Sequence, residues 1–148
     1  MYVVSQLLAK KQEAGTRTVA TVPPGTSVLE AAQMMNDHHI GSLVVTDTQG
    51  KVRGIITERD FLRRVVAAER APSGTTVETV MTRDVLTCTR ETPLDEIRVL
   101  MRDRRIRHLP VVDDGRLVGM ISIGDLNFAE AQALTQHVEH LESFIRSA

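Results

Sequence analysis

The stretch best suited to chemistry is Gly54-Ile55-Ile56-Thr57-Glu58-Arg59-Asp60, where a hydroxyl closes an apolar run and a carboxylate follows three residues later. The same arrangement returns as Gly119-Met120-Ile121-Ser122-Ile123-Gly124-Asp125. A Ser/Thr-x-x-Asp step where a strand passes into a helix has two uses. It can cap the helix, because the hydroxyl and the acid satisfy amides that have no partner in the first turn. It can also hold a nucleotide. The free amides and positive dipole of a helix start favour a phosphate, with the hydroxyl as a further contact. A carboxylate one turn on can accept hydrogen bonds from both hydroxyls of a ribose. Capping is the plainer use of a single copy, whereas recurrence at one place in two copies shifts the weight to a ligand.

The recurrence extends well beyond these residues. Displaced by 66 positions, residues 16–48 fall on 82–114 without a gap, with 12 of 33 pairs identical. A one-residue deletion in the following turn changes the offset to 65, which pairs Gly54 with Gly119, Thr57 with Ser122 and Asp60 with Asp125. The chain is therefore a duplication of a unit of about 50 residues, the period of a repeat architecture. Each unit reads as a short strand (Val19 to Val22, Val85 to Cys88), a helix and a hairpin. The helix start is marked by Thr26-Ser27 in one copy and Thr92-Pro93 in the other, with proline suited to the first helical position. The hairpin turns at Asp47-Thr48-Gln49-Gly50 and Asp113-Asp114-Gly115, and a second helix begins near Glu58 and near Ile123. The expected fold is α+β: two β-α-β-β-α repeats, related by a pseudo-twofold axis and packed through their sheets. Short helices lead into each repeat, over Val4 to Leu8 and Val77 to Met81. The chain divides as a single module over 1–148, with repeats at 3–68 and 77–128 and an amphipathic C-terminal helix at 129–148. That helix carries Leu134, Val138, Leu141, Phe144 and Ile145 at spacings of three and four. Its apolar face packs on the body or meets a second subunit.

Composition narrows the function. Eighteen basic and nineteen acidic residues leave a net charge of −1, and aromatics make up 3% with no Trp, which argues against a nucleic-acid binder. No apolar run approaches the roughly 20 residues of a membrane span. The first ten residues lack the pattern of a secretory signal, and the lone Cys88 forms no internal disulfide, so a cytoplasmic setting is expected. Cys88 reads as buried and inert. His38-His39 and His137/His140 lack the spacing and company of metal ligands, and no catalytic triad stands out, so neither a metal site nor an enzyme is expected.

The doubled unit, the paired Gly-h-h-Thr/Ser-x-x-Asp and the run Ile106-Arg107-His108-Leu109-Pro110-Val111-Val112-Asp113 together resemble a tandem pair of CBS domains, a Bateman module, over residues 3–128. The resemblance implies a non-catalytic sensor that binds an adenine ligand in clefts between the repeats. AMP is the first candidate, with ATP, ADP, NAD and S-adenosylmethionine as alternatives. It would pass its occupancy to a regulated partner, often as a homodimer. The first cleft would comprise Thr57, Arg59, Asp60, Thr82, Thr87, Ile106, Arg107 and His108. Within it Asp60 would face the ribose, Thr57 the phosphate, the two later threonines the base, and Arg107 and His108 the phosphate from the opposite repeat. The second would comprise Thr16, Thr21, Ile40, Gly41, Ser42, Ser122 and Asp125. Because the first cleft holds the basic residues, it is expected to bind phosphorylated adenosine more tightly. The competing reading is a structural or dimerisation module whose clefts are vestigial.

Overall fold

The computed structural model describes residues 2–15 and 19–147. The elements run α1 (Val4–Glu13), β1 (Thr21–Val22), α2 (Val28–His38), β2 (Ser42–Thr46), β3 (Val52–Thr57) and α3 (Glu58–Asp60), which continues as a π-helical stretch over Phe61–Val66. After a 3₁₀ turn (Pro72–Gly74) come α4 (Val77–Val80), α5 (Leu94–Arg104), β4 (His108–Asp113), β5 (Arg116–Ser122) and α6 (Ile123–Ser147).

The two halves repeat each other down to backbone detail. Helices α2 and α5 both end on a left-handed residue, His39 and Arg105, each at φ 53°. The next amides, of Ile40 and Ile106, donate back to Met35 and Met101 at 3.0 Å each. Such endings satisfy carbonyls orphaned at a helix C-terminus. The hairpins turn at Gly50 (φ 78°) and Gly115 (φ 77°), where glycine carries no steric cost. Their strand registers slip at matching places, Val45/Thr46 and Val111/Val112.

The halves differ at the first strand. In the first repeat β1 lies parallel to β2, which pairs antiparallel with β3. In the second, the strand expected over Val85 to Cys88 shrinks to a single bridge between Cys88 and Val111. Proline explains this. Val44 N–H donates to Ala20 C=O at 3.3 Å, but its counterpart is Pro110, which has no N–H to donate. Pro93 also sits one residue earlier than expected, as the cap before α5 rather than its first residue. The C-terminal helix is not a separate element starting at 129: it runs unbroken from Ile123 as α6.

Among the described residues there are two hydrophobic cores, each completed by the helix that opens the other repeat. Val77, Val80 and Met81, at the start of the second repeat, pack with Leu43, Val45 and Ile56 of the first. Val4 and Leu7, at the start of the first repeat, pack with Leu109, Val111 and Ile121 of the second. Hydrogen bonds fix this exchange: Val77 N–H donates to Thr26 at 2.8 Å, and Val4 N–H to Thr92 at 3.0 Å. The short helices come so close that a side chain at Gly54 would run into Met81, and a Cβ at Gly119 would lie 2.8 Å from Leu8 Cδ2. The halves also meet directly. Lys51 bridges Arg116, and these are equivalent positions, 65 apart, as a local twofold axis requires.

Candidate functional site

Each Thr/Ser-x-x-Asp step sits where its hairpin's second strand enters a helix, so β3–α3 and β5–α6 present matching acids. Asp60 is 6% exposed. Its Oδ2 accepts the Thr57 amide at 2.9 Å and the Thr57 hydroxyl at 3.3 Å. Its Oδ1 accepts the Thr82 hydroxyl at 3.3 Å, with Arg64 Nε 3.9 Å away. Thr82 arrives there because its backbone bridges Ile55, exchanging bonds of 2.9 and 3.0 Å. The first acid is thus met by a donor from the start of the other repeat. The two hydroxyl bonds are long against the roughly 2.7–2.8 Å usual for O–H···O, so they are weak and readily exchanged.

The second acid has a different partner. Asp125 Oδ2 accepts the Ser122 amide at 2.8 Å, and the Asp125 amide donates to Ser122 Oγ at 3.1 Å. Lys11 Nζ, from α1, donates to Asp125 Oδ2 at 2.9 Å and to Met120 C=O at 2.8 Å. Lys11 was not among the expected site residues. Its position in the last turn of α1, beside Lys10, reads as an ordinary cation at a helix C-terminus.

The remaining candidates divide between the two sides. Ser42 is buried and pairs with Thr57, while His108 pairs with Ser122 at the equivalent register. Gly41 faces the opposite repeat: a Cβ there would lie 3.5 Å from His108 Cε1 and 3.6 Å from Glu58 Cδ. Gly41 C=O accepts from Glu58 N–H at 3.2 Å, as Arg107 C=O accepts from Ile123 N–H at 2.9 Å. Burial lowers the His108 pKa, opposed by Glu58 and Asp125 and reinforced by Arg107 and Lys11. Ile40 and Gly41 line a cavity of about 460 Å³ together with His39, Glu58 and Phe61. Thr21 lines one of about 290 Å³ with Thr46 and Gly50 of its own repeat and Leu117 and Val118 of the other. Neither carboxylate lines these two cavities; Asp60 is buried among the donors named above, and the Asp125 side chain is 21% exposed beside Lys11. Ile106 packs on the second core, and Arg107 is exposed. Arg59 extends to Arg105 C=O at 3.4 Å, and Thr87 is exposed beside buried Cys88. Thr16 lies outside the described residues. Among the described residues no cluster of His, Cys, Asp and Glu could hold a metal ion.

The CBS domain family model matches the chain twice, over residues 12–67 and 77–131. The chain belongs to the CBS-domain family. A mitochondrial CBS domain-containing protein of Arabidopsis thaliana, CBSX3, is 37% identical over 124 residues, which are 81% of this chain and 60% of the relative. This CBS pair therefore spans less than two thirds of that relative's length. Among solved structures, a putative signal-transduction protein with CBS domains from Burkholderia ambifaria superposes with a TM-score of 0.80 at 42% identity, covering 86% of this chain and 93% of that one. The CBS domain pair of protein MJ0100, solved with 5′-methylthioadenosine and S-adenosylmethionine, has a TM-score of 0.78 at 29% identity, covering 90% and 98%. A CBS domain protein from Pyrobaculum aerophilum, complexed with AMP, has a TM-score of 0.77 at 26% identity, covering 93% and 99%. The resemblance and fold class expected from the sequence hold, and α6 begins inside the second matched domain and continues past its end at residue 131. No helix among the described residues is long and apolar enough to cross a membrane.

Proposed function

We propose that the chain works as one non-catalytic module that binds an adenosyl ligand, AMP first among the candidates, and passes its occupancy to a partner protein in a reducing cytoplasm. ATP, ADP, NAD and S-adenosylmethionine are alternative ligands. The observation that carries this reading is the duplicated hydroxyl–acid pair. Each pair stands at a strand-to-helix junction, and each acid meets a donor from the opposite repeat. The adenosyl ligands bound by two CBS pairs of like fold support the ligand class. In the first cleft the ribose would take over the acceptor sites that the Thr57 and Thr82 hydroxyls occupy on Asp60. Thr57 and the α3 amides would meet the phosphate, with Arg107 and His108 approaching from the second repeat. A ligand bound only by the folded state raises the melting temperature by mass action. The test is a thermal-shift series with millimolar AMP, ATP, NAD and S-adenosylmethionine. A rise with at least one is expected; no rise with any would remove the sensor reading.

The second reading, a dimerisation module, is favoured by α6. From Ala133 onward every described residue of α6 is exposed, so the helix leaves the body for roughly 22 Å. Ala131, Val138 and Ile145 fall on one heptad position and Leu134 and Leu141 on the other, and the four larger residues are 46–72% exposed. β-Branched residues at a with leucine at d suit a parallel two-stranded coiled coil. In that register His137 at g faces Glu142 at e of a second copy. The two readings are compatible, and a homodimer through α6 would pair two sensing modules.

A further inference from the structure

The twofold relation between the halves shows what Lys11 does. In the first half, two groups of Thr82 serve one spot: its amide donates to Ile55 C=O at 2.9 Å and its hydroxyl to Asp60 at 3.3 Å. The equivalents of Ile55 and Asp60 are Met120 and Asp125. A single ammonium serves both of these, Lys11 Nζ donating to Met120 C=O at 2.8 Å and to Asp125 at 2.9 Å. Thr16, the counterpart of Thr82, lies outside the described residues, and Lys11 is the donor that the described residues bring to this spot from the first repeat. The Lys11–Asp125 contact joins two charges at 2.9 Å, whereas the donors that reach Asp60 from beyond its own Thr-x-x-Asp step stand farther off, the Thr82 hydroxyl at 3.3 Å and Arg64 Nε at 3.9 Å. Both side chains of the pair are 21% exposed, so solvent screens it only in part.

We propose that Lys11 is a resident occupant of the second cleft, filling the acceptor that a ribose diol would need, so that a nucleoside enters there only by displacing it. This inference rests on the adenosyl-binding reading and adds an asymmetry that the two acids alone do not show. The guard belongs to α1, whose start is held on the second repeat by Ser5 N–H to Arg90 C=O at 2.9 Å. Lys11 ties the last turn of α1 to β5 and α6, so its displacement would release that end of the helix from the second repeat. Filling of the second cleft would then be felt at α1, whereas filling of the first would leave it in place.

The test uses adenosine, which carries no phosphate and so does not respond to the loss of a nearby positive charge as an anion would. Amide NMR of the full chain reads the sites separately: Thr57 and Thr82 report the first acid, Ser122 and Asp125 the second. Lys11→Met keeps the stem and removes the ammonium; Lys11→Arg keeps the charge and controls for packing. In Lys11→Met the second-site Kd is expected to fall about two- to fivefold, the scale of a partly exposed ion pair. The first-site Kd should stay within twofold, and Lys11→Arg should resemble the parent. A weaker or unchanged second site in Lys11→Met, with the first site still responding, would overturn the guard role alone. If neither site responds in any variant, the adenosyl reading itself fails and the guard role goes with it. Should Lys11→Met fail to fold, Lys11→Gln takes its place with the same expected result.

Discussion

Asp60 separates the two uses of the Thr-x-x-Asp step, because a cap and a ribose acceptor respond differently to Asp60→Asn. The amide keeps the shape and one acceptor oxygen but loses the charge and the second acceptor. In the free protein the carboxylate accepts one amide bond of 2.9 Å and two hydroxyl bonds of 3.3 Å. Turning the charge-assisted bond into a neutral one costs about 1 kcal/mol, and the long hydroxyl bonds add little because both hydroxyls can rotate to other partners. Unfolding in urea should therefore show a stability loss of about 1–2 kcal/mol. The ligand loses more. Two ribose hydroxyls bonded to a carboxylate are worth about 1.5–3 kcal/mol each, and an amide oxygen retains only part of one, so AMP affinity at the first site should fall about 30- to 300-fold. Calorimetry with AMP on Asp60→Asn, beside the urea curve, gives both quantities. A stability loss of the expected size with AMP affinity within twofold of the parent would refute the ligand role and leave Asp60 as a helix cap.

Other consequences follow from single features. Leu134→Asp with Leu141→Asp should convert a dimer to a monomer in sedimentation and reduce helicity, because a lone projecting helix of this length is marginal in water; a monomeric parent would contradict the α6 seam. The His108 pKa is lowered by burial, so the unfolded chain takes up its proton at a higher pH than the folded one. Stability should then fall as pH drops below the unfolded value of about 6.5, and His108→Gln should flatten that part of the urea-midpoint profile against pH. Burial pushes the Cys88 thiol up to about 11, so a disulfide reagent at pH 8 should react only as the chain unfolds. Gly119→Val should lose stability in urea, because the new side chain would meet Leu8 where α1 packs against β5.

Much of the architecture was legible because the duplication constrains both halves at once. Hairpin turns, the helices after Ser27 and Pro93, and the two Thr/Ser-x-x-Asp steps all depend on local residue types, and local rules suffice for them. The lost first strand of the second repeat needed a pairwise fact: Pro110 is harmless in β4 itself but removes a donor from its neighbour. The unbroken α6 lacked a stop signal, since no proline or glycine separates Asp125 from the C-terminal segment. The exchange of the leading helices was invisible, because apolar spacing says that Val4 and Leu7 are buried but not against which half. Lys11 was missed for the same reason. Its partner lies 114 positions away, and only the crossed packing of α1 brings them together.

The most direct test is a crystal structure of the protein grown with AMP. The account predicts a ribose hydroxyl within hydrogen-bond distance of the Asp60 carboxylate, the Thr82 hydroxyl turned from that acid, and the phosphate at the start of α3. AMP absent from both clefts at saturating concentration, or bound with Asp60 still closed by Thr57 and Thr82, would contradict it.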